Sequence, residues 1–394
     1  MPQVKGYRNN KGNLTWGNKS DAPILRRYGH AIGVPTKRGK APFSTSFARC
    51  AAYALRLLGR RHKRGNQAAS KPGPTSRYDT PELVEALRTI WMASDQLCGK
   101  RLKAALPLWL PHYGTSFHPL SADTLVLLDT ISAATIDRLL KPIRAKVGRK
   151  GLSGTKPGTL LKKHIPIQTG VWDITQPGFI EADTVAHCGD SLAGDFVWSL
   201  TMTDICTGWT ECRATWNKGA DGVMTQIKAI QKALPFPVKG FDCDNGSEFL
   251  NWHLLRYFQN HKQPIKFTRS RPYHSNDNAH VEQKNWSCVR QLFGYDRLND
   301  PRAVKLMNDL YANEFSLFTN FFCPTLKLAS KAREGSKWVR KHSKPITPAQ
   351  RLHDHPGTPK TTKDKLAAQI KTLDPFIIQK QMQLKLKAVF KLLR

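Results

Sequence analysis

The stretch GFDCDNGSEF, residues 240–249, sets Asp242 and Asp244 on either side of Cys243 and then offers Asn245-Gly246 as a turn. An apolar run leads into it, so it reads as a strand ending in two carboxylates. Residues two apart on a strand share a face. Both aspartates could therefore point one way at the strand's carboxyl end, where open α/β sheets build sites. Upstream, GFIEADTVAH (178–187) brings Glu181 and Asp183 onto one face near the end of another strand, and the helical stretch NAHVEQKNWSCVRQLFG (278–294) carries Glu282. Two strands and a helix thus offer Asp183, Asp244 and Glu282, with sixty residues between the first two and thirty-seven between the last two. Three hard oxygen donors of this kind suit Mg²⁺, which keeps several of its waters. Two such ions roughly 3.5–4 Å apart can activate an attacking oxygen and stabilise a leaving one at phosphorus. Each residue also has an ordinary reading: Asp183 as a strand end, Asp244 as turn chemistry, Glu282 as a solvated helix position.

The rest of the chain bounds what such a site would act on. Its 394 residues carry a net charge of +33 and 40% hydrophobic residues. That is enough for two or three domains with a real core. The charge is uneven. Residues 1–75 hold sixteen Lys/Arg against Asp21 alone, residues 324–394 hold seventeen against four acids, and residues 171–300 hold thirteen against fifteen. A near-neutral middle between basic flanks implies a polyanionic partner, most simply nucleic acid. No run of eighteen apolar residues predicts a membrane span, and the first residues lack a secretory h-region. The eight cysteines are scattered, with no C-x-x-C and no paired His/Cys spacing, and read as thiols of a reducing cytoplasm.

The elements that must position the carboxylates follow from pattern. Residues 1–42 show no sustained period and are expected to be loosely ordered. FSTSFARCAAYALRLLGRRHKR (43–64) reads as a helix, and 64–77 as a Gly/Pro/Ser linker. TPELVEALRTIWMASDQ (80–96) is a capped helix, and LCGKRLKAALPLWL (97–110) a second that Pro107 should stop. SADTLVLLDTISAATIDRLLKPIRAK (121–146) reads as two helices with a break near 129–132. That is a helix-turn-helix layout whose second helix presents Arg138 and Lys141 to a DNA groove. A basic linker follows over 147–170. From 171 to 300 the texture becomes strands first, then helix and strand in alternation: an α/β core with a mixed sheet. Residues 301–394 read as a basic, mainly helical region ending in QKQMQLKLKAVFKLLR.

The wording of the core resembles a known family. D-x(60)-DNGSEF followed by RPYHSNDNAHVE is similar to the DDE integrase core of bacterial insertion-sequence transposases and retroviral integrases. LCGKRL, ISAATIDRLLKPIR, TKPGTLLKKHIPI and SLFTNFF extend the likeness over about 45–350. The resemblance implies an RNase H-like fold, Mg²⁺ or Mn²⁺ as two ions, and strand transfer into double-stranded DNA. It also implies a homodimer or larger synaptic complex in the cytoplasm, nucleoid-associated when DNA-bound. It makes Asp183, Asp244 and Glu282 the ligands and leaves Asp242 a neighbour. It places Arg269, Arg271 and His274 beside the DNA end. Family members often carry a basic residue seven after the glutamate. Val289 stands there in this chain, so the resemblance passes that contact to Arg290 or Lys284. An RNase H-like nuclease and a catalytically dead DNA-binding remnant are the competing expectations.

Overall fold

Five short segments alternate apolar residues with polar or charged ones, and each forms a strand of one sheet. The computed structural model describes residues 77–145, 175–244, 246–270 and 279–393. The segment expected over 1–42, the helix over 43–64, the linkers up to 76 and over 147–170, Asn245, Arg271, His274 and the side chain of Glu282 lie outside this description.

The first helices are α1 (Pro81–Ala93), α2 (Gly99–Trp109), the short α3 (Tyr113–Ser116), α4 (Ala122–Thr130) and α5 (Ala133–Arg144). Ser121 and Ser132 cap α4 and α5 by accepting from the amides of Thr124 and Thr135. Ile131 and Ser132 alone separate the two helices, close to the predicted break. The expectation that Pro107 stops α2 is corrected, because the helix runs through it to Trp109. Packing outweighs the lost hydrogen bond there. Trp109 is fully buried, donates its indole N–H to the Phe322 carbonyl at 3.2 Å, and meets Phe318, Phe322 and Phe376 edge-on.

Gly99 begins α2 where the chain touches α5. Its amide donates to Asp137 Oδ1 at 3.0 Å, and a Cβ would stand 2.4 Å from the Ala133 carbonyl oxygen. That oxygen belongs to backbone, so it cannot swing aside. Gly99→Ala is expected to cost about 1–3 kcal/mol, the range for overpacking a closed contact; urea unfolding would read it.

The sheet comprises β1 (Phe179–Ala186), β2 (Val197–Asp204), β3 (Thr210–Trp216), β4 (Gly240–Cys243) and β5 (Lys266–Arg269), in the order β3-β2-β1-β4-β5. The β1–β2 and β2–β3 pairs are antiparallel, and β1–β4 and β4–β5 are parallel. This is the expected mixed α/β core. On one face, Ile180, Ala182, Leu200, Met202, Phe241 and Cys243 pack under α6 (Ala220–Ala233) and α7 (Trp252–Gln259). The other face is covered by the stretch that follows β5. It starts as α8 (Ala279–Lys284), widens into π-helical turns over Asn285–Arg290 and closes as α9 (Gln291–Phe293).

Beyond it come α10 (Arg302–Leu310), with π-helical turns over Tyr311–Phe315 and Phe318–Phe322, and then β6 (Leu328–Glu334) and β7 (Lys337–His342). The chain continues as α11 (Pro348–Asp354), α12 (Lys360–Lys371) and α13 (Pro375–Phe390). The C-terminal part is mainly helical, as expected, but its β6–β7 hairpin was not. The three regions expected on composition also share one apolar cluster. It joins Leu83, Trp91 and Trp109 to Phe293, Phe318 and Phe322 and to Phe376 and Met382.

Candidate active site

The parallel register between β1 and β4 pairs Ile180 with Phe241, Glu181 with Asp242 and Ala182 with Cys243. One step further on, Asp183, three residues short of the end of β1, falls beside Asp244, which directly follows β4. The apolar partners in this register face α6 and α7, so the acidic ones face α8. The result is two tiers of carboxylates, set by the period-two pleat.

The lower tier is closed. Glu181 is buried and its Oε2 accepts the Val281 amide of α8 at 3.1 Å. Asp242 is wholly buried and accepts a short hydrogen bond from the Thr268 hydroxyl on β5. The upper tier lies at the rim, where both aspartates are half-buried. Asp183 accepts the Thr184 amide at 2.7 Å and the Asn285 side-chain amide at 2.6 Å. Asp244 accepts the Gly246 amide at 2.9 Å. Burial, and then the charge of Asp244 beside it, pushes the Asp183 carboxyl up to about 7. Burial and then Glu248 push Asp244 up as well. Two desolvated carboxylates pressed together resist double ionisation, and a hard divalent cation relieves that repulsion through oxygen ligands. The residues present fit such an ion.

Glu282 lies on α8 between Val281, whose amide meets Glu181, and Asn285, whose side chain meets Asp183. Positions three apart on a helix are neighbours, so its backbone sits over the aspartates. Among the described residues, no group of three His, Cys, Asp or Glu side chains is assembled at metal-holding distance.

Glu248 is the residue that sequence reasoning missed. It is buried at 1% exposure. Its Oε1 takes the Thr184 hydroxyl at 2.8 Å and the Lys218 ammonium at 2.7 Å, while its Oε2 has no hydrogen-bond partner. Its charge raises both aspartates. A Cβ on Gly246 would lie 2.4 Å from Glu248 Oε2, so the turn needs glycine for the carboxylate to fold beneath it. Lys218 also sits 4.8 Å from the centre of the Trp198 ring, which fixes the ammonium from its other side. The available signal was a glutamate directly before the apolar pair Phe249-Leu250, a place where a charge must be either paired or useful.

The expected DNA contacts are dispersed. Arg138 and Lys141 are exposed on α5, which packs mainly on α1 and α2; the Arg138 guanidinium donates to Thr135 Oγ1 at 3.0 Å. Arg269 is buried at the end of β5, in register with Cys243 and so one strand over from Asp244. Arg290 lies over the Tyr295 ring at 4.8 Å and donates to the Gly294 carbonyl at 3.5 Å. Lys284 is half-buried, and burial followed by the charge of Arg101 lowers its pKa. These two positions turn the side chains toward neighbouring elements of the same protein.

A polar thread runs beneath the site. His187, fully buried just past β1, has Nε2 2.8 Å from Ser199 Oγ, which lies 2.8 Å from the Tyr311 hydroxyl; its Nδ1 has no partner. Burial, then the charge of Arg290, depresses its pKa to about 3. A depressed folded pKa gives stability that is complete above the unfolded value of about 6.5 and is lost as pH falls toward 3. The loss should reach about 2 kcal/mol by pH 5. His187→Gln is expected to lower stability at pH 7 yet flatten its decline between pH 6.5 and 5, read by thermal unfolding across that range.

No family model matches the chain. The "Uncharacterized protein y4rM" of Sinorhizobium fredii (strain NBRC 101917 / NGR234) is 39% identical over 337 residues, which cover 83% of this chain and 92% of that protein.

Proposed function

The chain belongs to the family of y4rM, and we propose that it is a DDE-type DNA transposase that cleaves the 3′ ends of a mobile element and joins them to target DNA. The observation that supports this most is the pair Asp183 and Asp244. They stand side by side on adjacent parallel strands, Asp183 within β1 and Asp244 just past β4, on the face covered by the helix that carries Glu282. The strand order β3-β2-β1-β4-β5, with its antiparallel half and parallel half, supports the RNase H-like reading. The Ser-capped pair α4 and α5 fits a helix-turn-helix that holds the element's ends, with Arg138 and Lys141 exposed on its second helix.

Asp183, Asp244 and Glu282 would hold Mg²⁺ or Mn²⁺. When bound, the metal supplies Lewis-acid polarisation of the phosphate and a nucleophilic oxygen at neutral pH. The protein's own part is positioning. Asn285 and the Thr184 amide fix the Asp183 carboxylate, leaving less of it free to rotate. Glu248 and Lys218 set the local charge from below. The buried lower tier, Glu181 and Asp242, ties α8 and β5 to the strands, so the rim carboxylates keep their spacing. Arg269 is buried and, in register with Cys243, falls on the α6–α7 side of the sheet, so it takes no part in this positioning. Two ends must be cut and joined together, so a homodimer or larger synaptic complex on double-stranded DNA is part of the proposal.

The test is strand transfer in Mg²⁺ with labelled duplexes taken from the DNA flanking the coding sequence. Joined products are expected. Cutting without joining would favour the nuclease. Binding with neither would favour the inactive remnant.

A further inference from the structure

The β6–β7 hairpin plays no part in the site described above. Its sequence is LASKARE-GS-KWVRKH. Gly335 takes φ +61° at the tip, so the strands are joined by a two-residue Gly-Ser loop of the kind that suits their twist. The register pairs Lys331 with Arg340, Arg333 with Trp338, Glu334 with Lys337 and Ser330 with Lys341. Arg333, Lys337, Arg340 and Lys341 are exposed, and Glu334 is the only acid in either strand. The hairpin forms its own two-stranded sheet, separate from the five-stranded one. Its base is anchored. Thr325 bridges to Ile346, Lys327 donates to the Ile205 carbonyl at 2.7 Å, and Arg351 donates to Thr325 Oγ1 at 2.6 Å and to the Thr207 carbonyl at 3.0 Å. The outcome is a ribbon fixed at one end to the β2–β3 turn, with a basic, solvent-facing far end.

An exposed two-stranded sheet is marginal by itself in water, and like charges on facing strands destabilise it further. Such a ribbon gains from a polyanion that neutralises it. Seven residues at about 3.3 Å each give an arm of roughly 23 Å, and a two-stranded ribbon fits the major groove of duplex DNA. We propose that β6–β7 is a DNA-docking arm, in which Arg333, Arg340 and Lys341 contact the phosphates of a duplex. The identity of the polyanion as duplex DNA rests on the function proposed above. The arm itself rests on charge, register and exposure.

The experiment is fluorescence anisotropy of a labelled 30-base-pair duplex with the full chain, titrated at several NaCl concentrations. Wild type is compared with Arg333→Ala/Arg340→Ala/Lys341→Ala. A second triple, Lys360→Ala/Lys363→Ala/Lys365→Ala on α12, serves as the charge-matched control, and thermal unfolding verifies that all three proteins fold. Each phosphate contact contributes about 0.9 to the slope of log affinity against log salt. The arm variant should therefore lose about 2–3 from that slope and bind at least about tenfold more weakly near 0.15 M salt, while the α12 variant changes little. Equal losses in both triples, or no loss in the arm variant, would overturn the proposal. So would an arm variant that loses binding to a single-stranded RNA of equal length while keeping duplex binding. The same preparations assayed for strand transfer separate this idea from the function. An arm-dependent slope without joining leaves the arm standing and sinks the transposase; joining with an unchanged slope does the reverse.

Discussion

Asp183→Asn and Asp244→Asn should each abolish metal-dependent DNA cleavage, while Asp242→Asn should retain it. The carboxylates differ by tier rather than by residue type. Asp242 is wholly buried and bonded to Thr268, so no phosphate can reach it. Asp183 and Asp244 are at the rim, and burial raises both carboxyls, with the charge of Asp244 adding to the rise at Asp183 and that of Glu248 to the rise at Asp244. Changing even an outer partner of a metal ligand costs 10–100-fold in affinity or activity. Removing a ligand should therefore cost at least about 100-fold. Single-turnover nicking of a labelled duplex in Mg²⁺ reads all three variants. Full activity in Asp244→Asn with loss in Asp242→Asn would mean the tiers had been assigned the wrong way round. Asn285→Ala belongs in the same series with a smaller loss, because it removes the amide that orients Asp183 at 2.6 Å without removing a carboxylate.

Lys218→Met is expected to be among the most destabilising single changes in the core. Glu248 is 1% exposed and Lys218 is its cationic partner, at 2.7 Å. Removing one member of a buried pair strands the other charge, at a cost of about 3–5 kcal/mol. Some solvent still reaches the Lys218 side chain, which is 23% exposed, and this places the effect toward the lower end. The double variant Lys218→Met/Glu248→Gln should recover most of the loss, because the neutral amide tolerates burial better. Urea unfolding of the two single variants and the double gives the coupling. A single-variant loss below about 1 kcal/mol, or a double variant as unstable as the single, would show that Glu248 does not depend on this partner. The pair also matters for the site. With Lys218 gone, the negative charge of Glu248 acts on Asp244 unopposed, and the aspartates should ionise less readily without metal.

Much of this arrangement was legible in the chain. The strands announced themselves by β-branched and aromatic alternation, and Asp183 and Asp244 were found because a two-residue period sets each on one face with a second carboxylate; the expected strand end at Asp183 was early, since β1 runs three residues beyond it. What the sequence did not disclose was depth. Glu181 and Asp242 are of the same residue types as their rim neighbours, and only the contacts showed that the Val281 amide of α8 closes on the first and Thr268 of β5 on the second. Glu248 was absorbed into the turn motif, because a buried glutamate is recognisable only once Lys218, thirty residues earlier, is seen beside it. The hairpin β6–β7 was overlooked because its lysines and arginines weakened the apolar alternation, although Gly335-Ser336 was a usable turn signal. Pro107 misled for the opposite reason. The local rule was sound, but Trp109 is locked among Phe318, Phe322 and Phe376, and that packing carried the helix past it. The wide turns over Asn285–Arg290 left no mark in the composition at all.

The central claim is that Asp183 and Asp244 form a divalent-cation site for phosphoryl transfer, and calorimetric titration of Mn²⁺ into the full chain tests it most directly. At pH 6.5, below the Asp183 value of about 7, the site holds a proton that the ion must displace. Heats measured in two buffers of different ionisation enthalpy should then reveal proton release on binding. That release should fade by pH 9, and both it and the binding should disappear in Asp183→Asn and Asp244→Asn. Binding that persists in both variants, or that releases no proton at pH 6.5, would contradict the assignment of this carboxylate pair.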